Sequence, residues 1–123
     1  MSCKIERIYE SDEQDVIRVL VDGVWPRGIS KDKANLDYWL KEIAPSSSLR
    51  KWFNHDEDKF SSFKEKYKQE LKSGEQQEAL EKLKEIYKNN DKQIVLLYGA
   101  KDEKHNQAVV LKEIIDHQKK PKT

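Results

Sequence analysis

Cysteine is nearly missing from this chain. Cys3 is the only one in 123 residues. No internal disulfide can form, which points to a reducing, cytoplasmic compartment. Cys3 also lies near a terminus without a motif that would stabilise a thiolate, so no catalytic role is expected of it. No apolar run is long enough to span a bilayer, and the first residues lack the apolar core of a signal peptide. A soluble protein without a membrane partner is expected. An excess of one charge is missing too. Lys and Arg number 24 against 23 Asp and Glu, a formal net charge of +1. A dedicated DNA-binding domain usually carries a basic excess, so nucleic acid is the less expected partner. Arginine is scarce, with only Arg7, Arg18, Arg27 and Arg50 among the 24 basic residues. The lysines read as a solvated surface.

Several chemical signatures are absent as well. There is no G-x-x-x-x-G-K-[ST] phosphate loop and no G-x-G-x-x-G fingerprint. No His and Cys fall at zinc spacing, and no Ser sits in a nucleophile elbow. Covalent and metal-dependent enzymes are therefore disfavoured, and neither a metal nor a cofactor is expected. Only ligands scattered along the chain would escape this test.

What is present is organised around Val19-Leu20-Val21-Asp22-Gly23-Val24-Trp25-Pro26-Arg27-Gly28. An apolar run ends at an Asp and enters a stiff turn. Pro26 fixes its own φ and pushes Trp25 toward extended backbone. Gly28 suits a positive φ. Before this stretch, Ile5–Tyr9 alternates apolar and polar like a half-buried strand, and residues 10–14 read as a turn. The link from Tyr9 to Ile17 is short for a parallel crossover, which predicts that the first two strands are antiparallel neighbours. The second strand is expected over Ile17–Asp22.

Leu36, Trp39, Leu40 and Ile43 fall at helical spacing and predict one apolar helix face, capped by Ser30 or Asn35 and ended by Pro45. Ser46 or Ser47 can cap a second helix carrying Leu49, Trp52 and Phe53. Asp56 can cap a third with Phe60, Phe63, Tyr67 and Leu71. Both Trp39 and Trp52 are expected to be mainly core. Ser73-Gly74 breaks the pattern before a fourth helix holding Ala79, Leu80, Leu83, Ile86 and Tyr87. Residues 89–91 read as a turn. Ile94–Tyr98 is the most hydrophobic run and predicts a buried central strand parallel to the second. Asp102 can cap a last helix carrying Ala108, Val109, Leu111, Ile114 and Ile115. The expected fold is α/β: a small, mostly parallel sheet of about three strands, the first antiparallel, covered by about five helices. It should form a single domain over residues 1–118, followed by a flexible basic tail at 119–123.

Two loops then leave the carboxyl ends of the parallel strands. One holds Asp22, Trp25, Arg27 and Gly28, the other Tyr98, Lys101, Asp102, His105 and Asn106. Open α/β sheets bind ligands at that edge. Arg27 offers a planar fork for a carboxylate or phosphate, and Arg50 can either stack on Trp52 and Phe53 or reach the same crevice. Lys101 and the first N–H groups of the last helix add positive potential, and His105 can exchange a proton near neutral pH. Each has a plainer role to weigh against this. Asp22 can simply pair with Arg27, Trp25 can lid the core, Asp102 can be only a cap, and His55 and His105 can be surface residues. The expected partner is an anionic or phosphorylated small molecule, with catalysis left open. The alternative is a non-catalytic module that binds a protein or nucleic acid through its Trp, Phe and Arg surface. No particular protein partner is indicated.

Asp22-Gly23-Val24-Trp25-Pro26-Arg27-Gly28-Ile29-Ser30-Lys31 resembles the D-R-x-W-P-R-G-x-S-K signature of YeaO-like proteins, small uncharacterised bacterial proteins with a domain of unknown function. Ala44-Pro45-Ser46 with Leu49-Arg50-Lys51-Trp52-Phe53 is similar to the family's second signature. Phe63, Tyr67, Glu70 and Leu71 fit its F-x-x-x-Y-x-x-E-L pattern. Leu97–Asp102 with His105-Asn106-Gln107-Ala108 fits the last. The resemblance covers nearly the whole chain and implies that the two loops and Arg50 form one site. It implies no particular activity. Gly23 stands where the signature has Arg, so any anion contact from that Arg is missing here.

Overall fold

The computed structural model describes residues 3–10, 15–90 and 93–118. The expected basic tail at 119–123, most of the turn at 10–14 and the end of the turn at 89–91 lie outside the described residues. In chain order the elements are β1 (Cys3–Arg7), β2 (Ile17–Leu20), α1 (Lys31–Ala34), β3 (Tyr38–Trp39), α2 (Ser47–Phe53), α3 (Phe60–Glu70), α4 (Gly74–Asn89), β4 (Ile94–Tyr98) and α5 (Gln107–Gln118). Short 3-10 turns lie at Lys41–Ile43 and Glu57–Lys59.

The sheet has four strands in the order β1-β4-β2-β3. As expected, β4 is central and parallel to β2, with Ile17 opposite Ile94 and Leu20 opposite Leu97. All five of its side chains are buried. Burying a Val, Leu or Ile side chain contributes roughly 1.5–3 kcal/mol, so an edge position would forfeit much of this run's value.

The first strand corrects the antiparallel expectation. β1 pairs with β4, not with β2, and it runs parallel, with Cys3 opposite Ile94 and Arg7 opposite Tyr98. The reason is reach. Residues 8–16 separate β1 from β2, and about nine residues span roughly 30 Å when extended. Returning along a strand this short takes about 15 Å, and stepping past one intervening strand takes about 10 Å. A helical crossover is therefore not needed.

The segment from Leu36 to Ile43 is the second correction. It is not one helix. Ser30 does cap a helix, accepting from Lys33 N, but α1 ends after one turn at Asn35, which adopts a left-handed φ of 48°. The Asp37 carboxylate then accepts from Arg18 N at 2.9 Å, and Tyr38 and Trp39 add a fourth strand beside Val19 and Leu20. Leu36 packs on one face of the sheet and Ile43 on the other, so helical spacing did not mean a shared face. β2 itself ends at Leu20, although Val21 N still donates to Leu97 O.

The two tryptophans expected in the core are also partly outside it. Trp39 is 37% exposed and Trp52 39% exposed. Trp39 donates from its indole to Asp22 O at 2.8 Å. Trp52 carries the ammonium groups of Lys59 and Lys66, each 5.1 Å from the ring centre.

The sheet is covered unequally. Val19, Val21, Ile94, Leu96 and Tyr98 meet the apolar faces of α2, α3, α4 and α5. Leu20, Val95 and Leu97 meet a thin cover built from Ile8, Ala34, Trp25, Ile29 and Leu36. Arg18 is only 3% exposed, and its Nε donates to Ala34 O at the end of α1. Among the described residues no helix is long and apolar enough to cross a membrane.

Candidate functional site

The two strand-end loops do meet, and Asp22 joins them. Its Oδ2 accepts from Gly99 N at 2.8 Å, and its Oδ1 accepts from Gln107 Nε2 at 2.5 Å. Gly99 fits closely here: an added Cβ would lie 3.1 Å from Asp22 Oδ2, so the carboxylate would have to shift by a few tenths of an ångström. Burial pushes the Asp22 carboxyl up, although the Gly99 and Gln107 bonds and the Arg50 charge oppose the shift. Asp22 thus pins the end of β2 to the end of β4 and the start of α5. Its carboxylate bonds are made to these groups and not to Arg27.

Beside this junction lies a pocket of about 170 Å³. Pro45, Arg50, Phe53, His55, Phe63, Ala100, His105, Asn106 and Gln107 line it. Ser46 sets α2 in place by accepting from Leu49 N and bonding Glu70, which brings Arg50 and Phe53 to the wall. Phe53 stacks on Phe63 with centroids 4.4 Å apart. His55 follows Asn54, and both adopt left-handed φ values, 55° and 47°, so the chain turns sharply out of α2 at the rim. A volume well below the roughly 300–1,000 Å³ of drug-sized sites suits a small ligand. The walls are apolar, and Arg50, the two histidines, Asn106 and Gln107 supply the polar groups.

The expected site residues divide between this pocket and its surroundings. Arg50, His105 and Asn106 line it. Asp22 lies behind it, bonded to Gln107. Tyr98 is 2% exposed and belongs to the core. Asn106, not Asp102, caps the last helix, accepting from the N–H groups of Ala108 and Val109 at 2.9 and 3.2 Å. Asp102 instead closes the preceding loop, accepting from the N–H groups of Lys104 and His105. It also lies 2.9 Å from His105 Nδ1. Lys101 is exposed and outside the lining.

Trp25, Arg27 and Gly28 belong to the other side of the sheet edge. Trp25 Nε1 donates to Ile29 O at 2.6 Å, and its ring meets Trp39 edge-on at 5.3 Å. Gly28 has the expected positive φ, 80°. Arg27 is exposed, and its carbonyl accepts from the Tyr9 hydroxyl. The lining residues that sequence reasoning missed are Pro45, Phe53, His55, Phe63, Ala100 and Gln107. The aromatic pair was legible only as core, and nothing marks Gln107 until Asp22 is seen across from it.

Residues 2–123 match the family described as the inactive DUF488-N3 subclade. The chain belongs to this YeaO-like family of unknown function. It is similar to the uncharacterised protein YeaO of Escherichia coli K12, with 42% identity over 112 residues, covering 90% of this chain and 94% of that one. It is also similar to the uncharacterised protein Mb3100c of Mycobacterium bovis and to Rv3073c of Mycobacterium tuberculosis. Identity to each is 44% over 69 residues, covering 55% of this chain and 58% of theirs. No solved structure matches the chain.

Apart from the Asp22–Lys31 turn, each segment that carries the YeaO-like resemblance contributes to the pocket lining. Every lining residue except His55 lies in one of them. The turn segment, which holds Arg27, meets the pocket lining through Asp22, whose Oδ1 accepts from Gln107. Gly23, where the YeaO-like signature has Arg, is tight: a Cβ there would sit 3.3 Å from Ala44 Cβ.

Proposed function

We propose that this protein binds a small anionic molecule, a carboxylate or a phosphate monoester, in the pocket between α2, α3 and the start of α5. The observation that carries the reading is Arg50, an exposed residue at the wall of a pocket with Phe53 and Phe63 in its lining that also holds His55 and His105. Such a fork bonds a carboxylate or phosphate in a way that Lys cannot reproduce. Phe53 and Phe63 offer an apolar body for the rest of the ligand. The description of the subclade as inactive favours binding over turnover. The scarcity of Arg in a Lys-rich chain supports the same residue choice, with Arg50 now ahead of Arg27.

A second reading rests on Trp52, exposed between two lysines. That surface suits stacking on a base or on a partner's side chain. One experiment separates the two. Phenyl phosphate and inorganic phosphate are titrated while the ring signals of His55 and His105 are followed by NMR. The pocket reading expects both rings to shift. It expects Arg50→Lys to weaken binding by more than about tenfold, since the roughly 1.5–3 kcal/mol of a charged hydrogen bond corresponds to about 12- to 160-fold. Arg27→Lys and Trp52→Ala should bind like the parent. Loss of binding in Arg27→Lys, or no response from either ring, would remove the pocket reading. Loss confined to Trp52→Ala would favour the second.

A further inference from the structure

The rim of the pocket holds a set of donors that no spacing along the chain reveals. Glu57 comes from the 3-10 turn ahead of α3, while Asp102 and His105 come from the loop between β4 and α5. One ligand atom from each lies within 4.8 Å of the others. We propose that Glu57, Asp102 and His105 form a binding site for a divalent first-row transition ion. One imidazole with two carboxylates is a donor set suited to ions from Mn²⁺ to Zn²⁺.

The geometry is close to what such an ion needs. With metal–ligand bonds of about 2.1 Å, neighbouring ligands on an octahedral or tetrahedral ion lie roughly 3.0–3.4 Å apart. His105 Nδ1 and Asp102 Oδ2 are 2.9 Å apart. These two donors are joined by a hydrogen bond, which an ion between them would replace. The second Asp102 oxygen is held by the N–H groups of Lys104 and His105. The His105 ring is braced edge-on by Phe60, with centroids 5.2 Å apart. The loop between them is tied by Asn106 Nδ2 donating to Asp102 O at 2.8 Å. Glu57 is exposed, and its carboxylate lies within 4.8 Å of the other two donors. Three protein ligands leave coordination positions open to water, and His105 also lines the pocket.

The test uses metal alone, in buffer free of phosphate and carboxylate. Zn²⁺ binding is measured by calorimetry, and Co²⁺ binding by its visible spectrum. One ion per chain is expected. Glu57→Gln and His105→Gln should each weaken binding at least tenfold. His55→Gln, His117→Gln and Arg50→Lys should leave it unchanged. Because Arg50→Lys weakens anion binding but not ion binding, failure of one idea is separable from failure of the other. Glu57 is exposed, so Glu57→Gln tests the site even if His105→Gln does not fold. No binding at millimolar Zn²⁺ would overturn the proposal. So would binding that Glu57→Gln leaves intact, or binding lost in His117→Gln.

Discussion

Ser46 is the residue whose loss should tell most about how the pocket is held. Its hydroxyl has two roles. It accepts from Leu49 N at 3.1 Å as the cap of α2, and it donates to Glu70 Oε2 at 2.6 Å. Its backbone N–H also donates to Glu70 Oε1 at 2.9 Å, and Gln76 donates to the same oxygen at 3.0 Å. In Ser46→Ala the backbone bond survives and both hydroxyl bonds go. A lost cap costs about 1 kcal/mol. A hydrogen bond to a charged group contributes roughly 1.5–3 kcal/mol. Glu70 is only half-buried, so water recovers part of the second loss. The sum should be about 2 kcal/mol, or about 6–10 °C in melting temperature for a domain of this size. Urea unfolding should show a lower midpoint with an unchanged slope.

The pH dependence sharpens this prediction. Burial pushes the Glu70 carboxyl up, but the bonds from Ser46 and Gln76 outweigh it and hold it below its ordinary value of 4.5. The folded carboxyl therefore binds its proton less tightly than the unfolded one. The stabilisation is complete above the ordinary value and is lost as pH falls through the lowered one. The gap between parent and variant should narrow on acidification toward the ~1 kcal/mol of the cap alone. A gap under about 0.5 kcal/mol at neutral pH, against the size expected of such bonds, would refute the reasoning. So would a gap that does not change with pH.

Two further outcomes follow from other buried groups. Burial raises the Asp22 carboxyl above 3.8, so its ionised form costs stability at neutral pH, a cost that fades as pH falls through the raised value. Asp22→Asn keeps an acceptor for Gly99 N, and its amide can donate to Gln107 once that side chain flips and gives up its long 3.4 Å bond to Val21 O. Its melting temperature at pH 7 should equal or exceed the parent's, and a clear drop would count against this account. Burial foremost, with Asp116 adding to it, pushes the Cys3 thiol up to about 12. A thiol reagent at pH 8 should therefore react with the folded protein far more slowly than with the urea-unfolded chain, and equal rates would show that Cys3 is open.

Much of this protein was legible along the chain because the signals were local. The apolar run Ile94–Tyr98 could only be satisfied by burial on both faces, and it became the central strand. Ser30, Ser46 and Gly74 mark helix ends through their own side chains or φ values. The meeting of the Asp22 loop with the β4 loop followed from the parallel pairing of two strands. Local signals failed where one pattern had two solutions. Leu36, Trp39, Leu40 and Ile43 repeat at helical spacing, yet an open sheet edge beside Leu20 drew Tyr38 and Trp39 into a strand. A short link between β1 and β2 looked antiparallel because loop length says nothing about a strand inserted later.

The site shows the same division. Residue chemistry pointed to Arg50, His105 and Asn106, which line the pocket, and stiff-turn chemistry was enough to place Gly28 at a positive φ. Only the tertiary structure decided which arginine faces the pocket. The turn holding Arg27 lies beyond Asp22, while α2, fixed by Ser46 and Glu70, brings Arg50 to the wall. Only the folded chain brings Glu57 beside Asp102 and His105, because residues so far apart in sequence meet through the packing of α3 against α5. Composition and spacing determine what each segment tends to become. Which segments become neighbours depends on burying their apolar faces together, and that choice belongs to the whole chain.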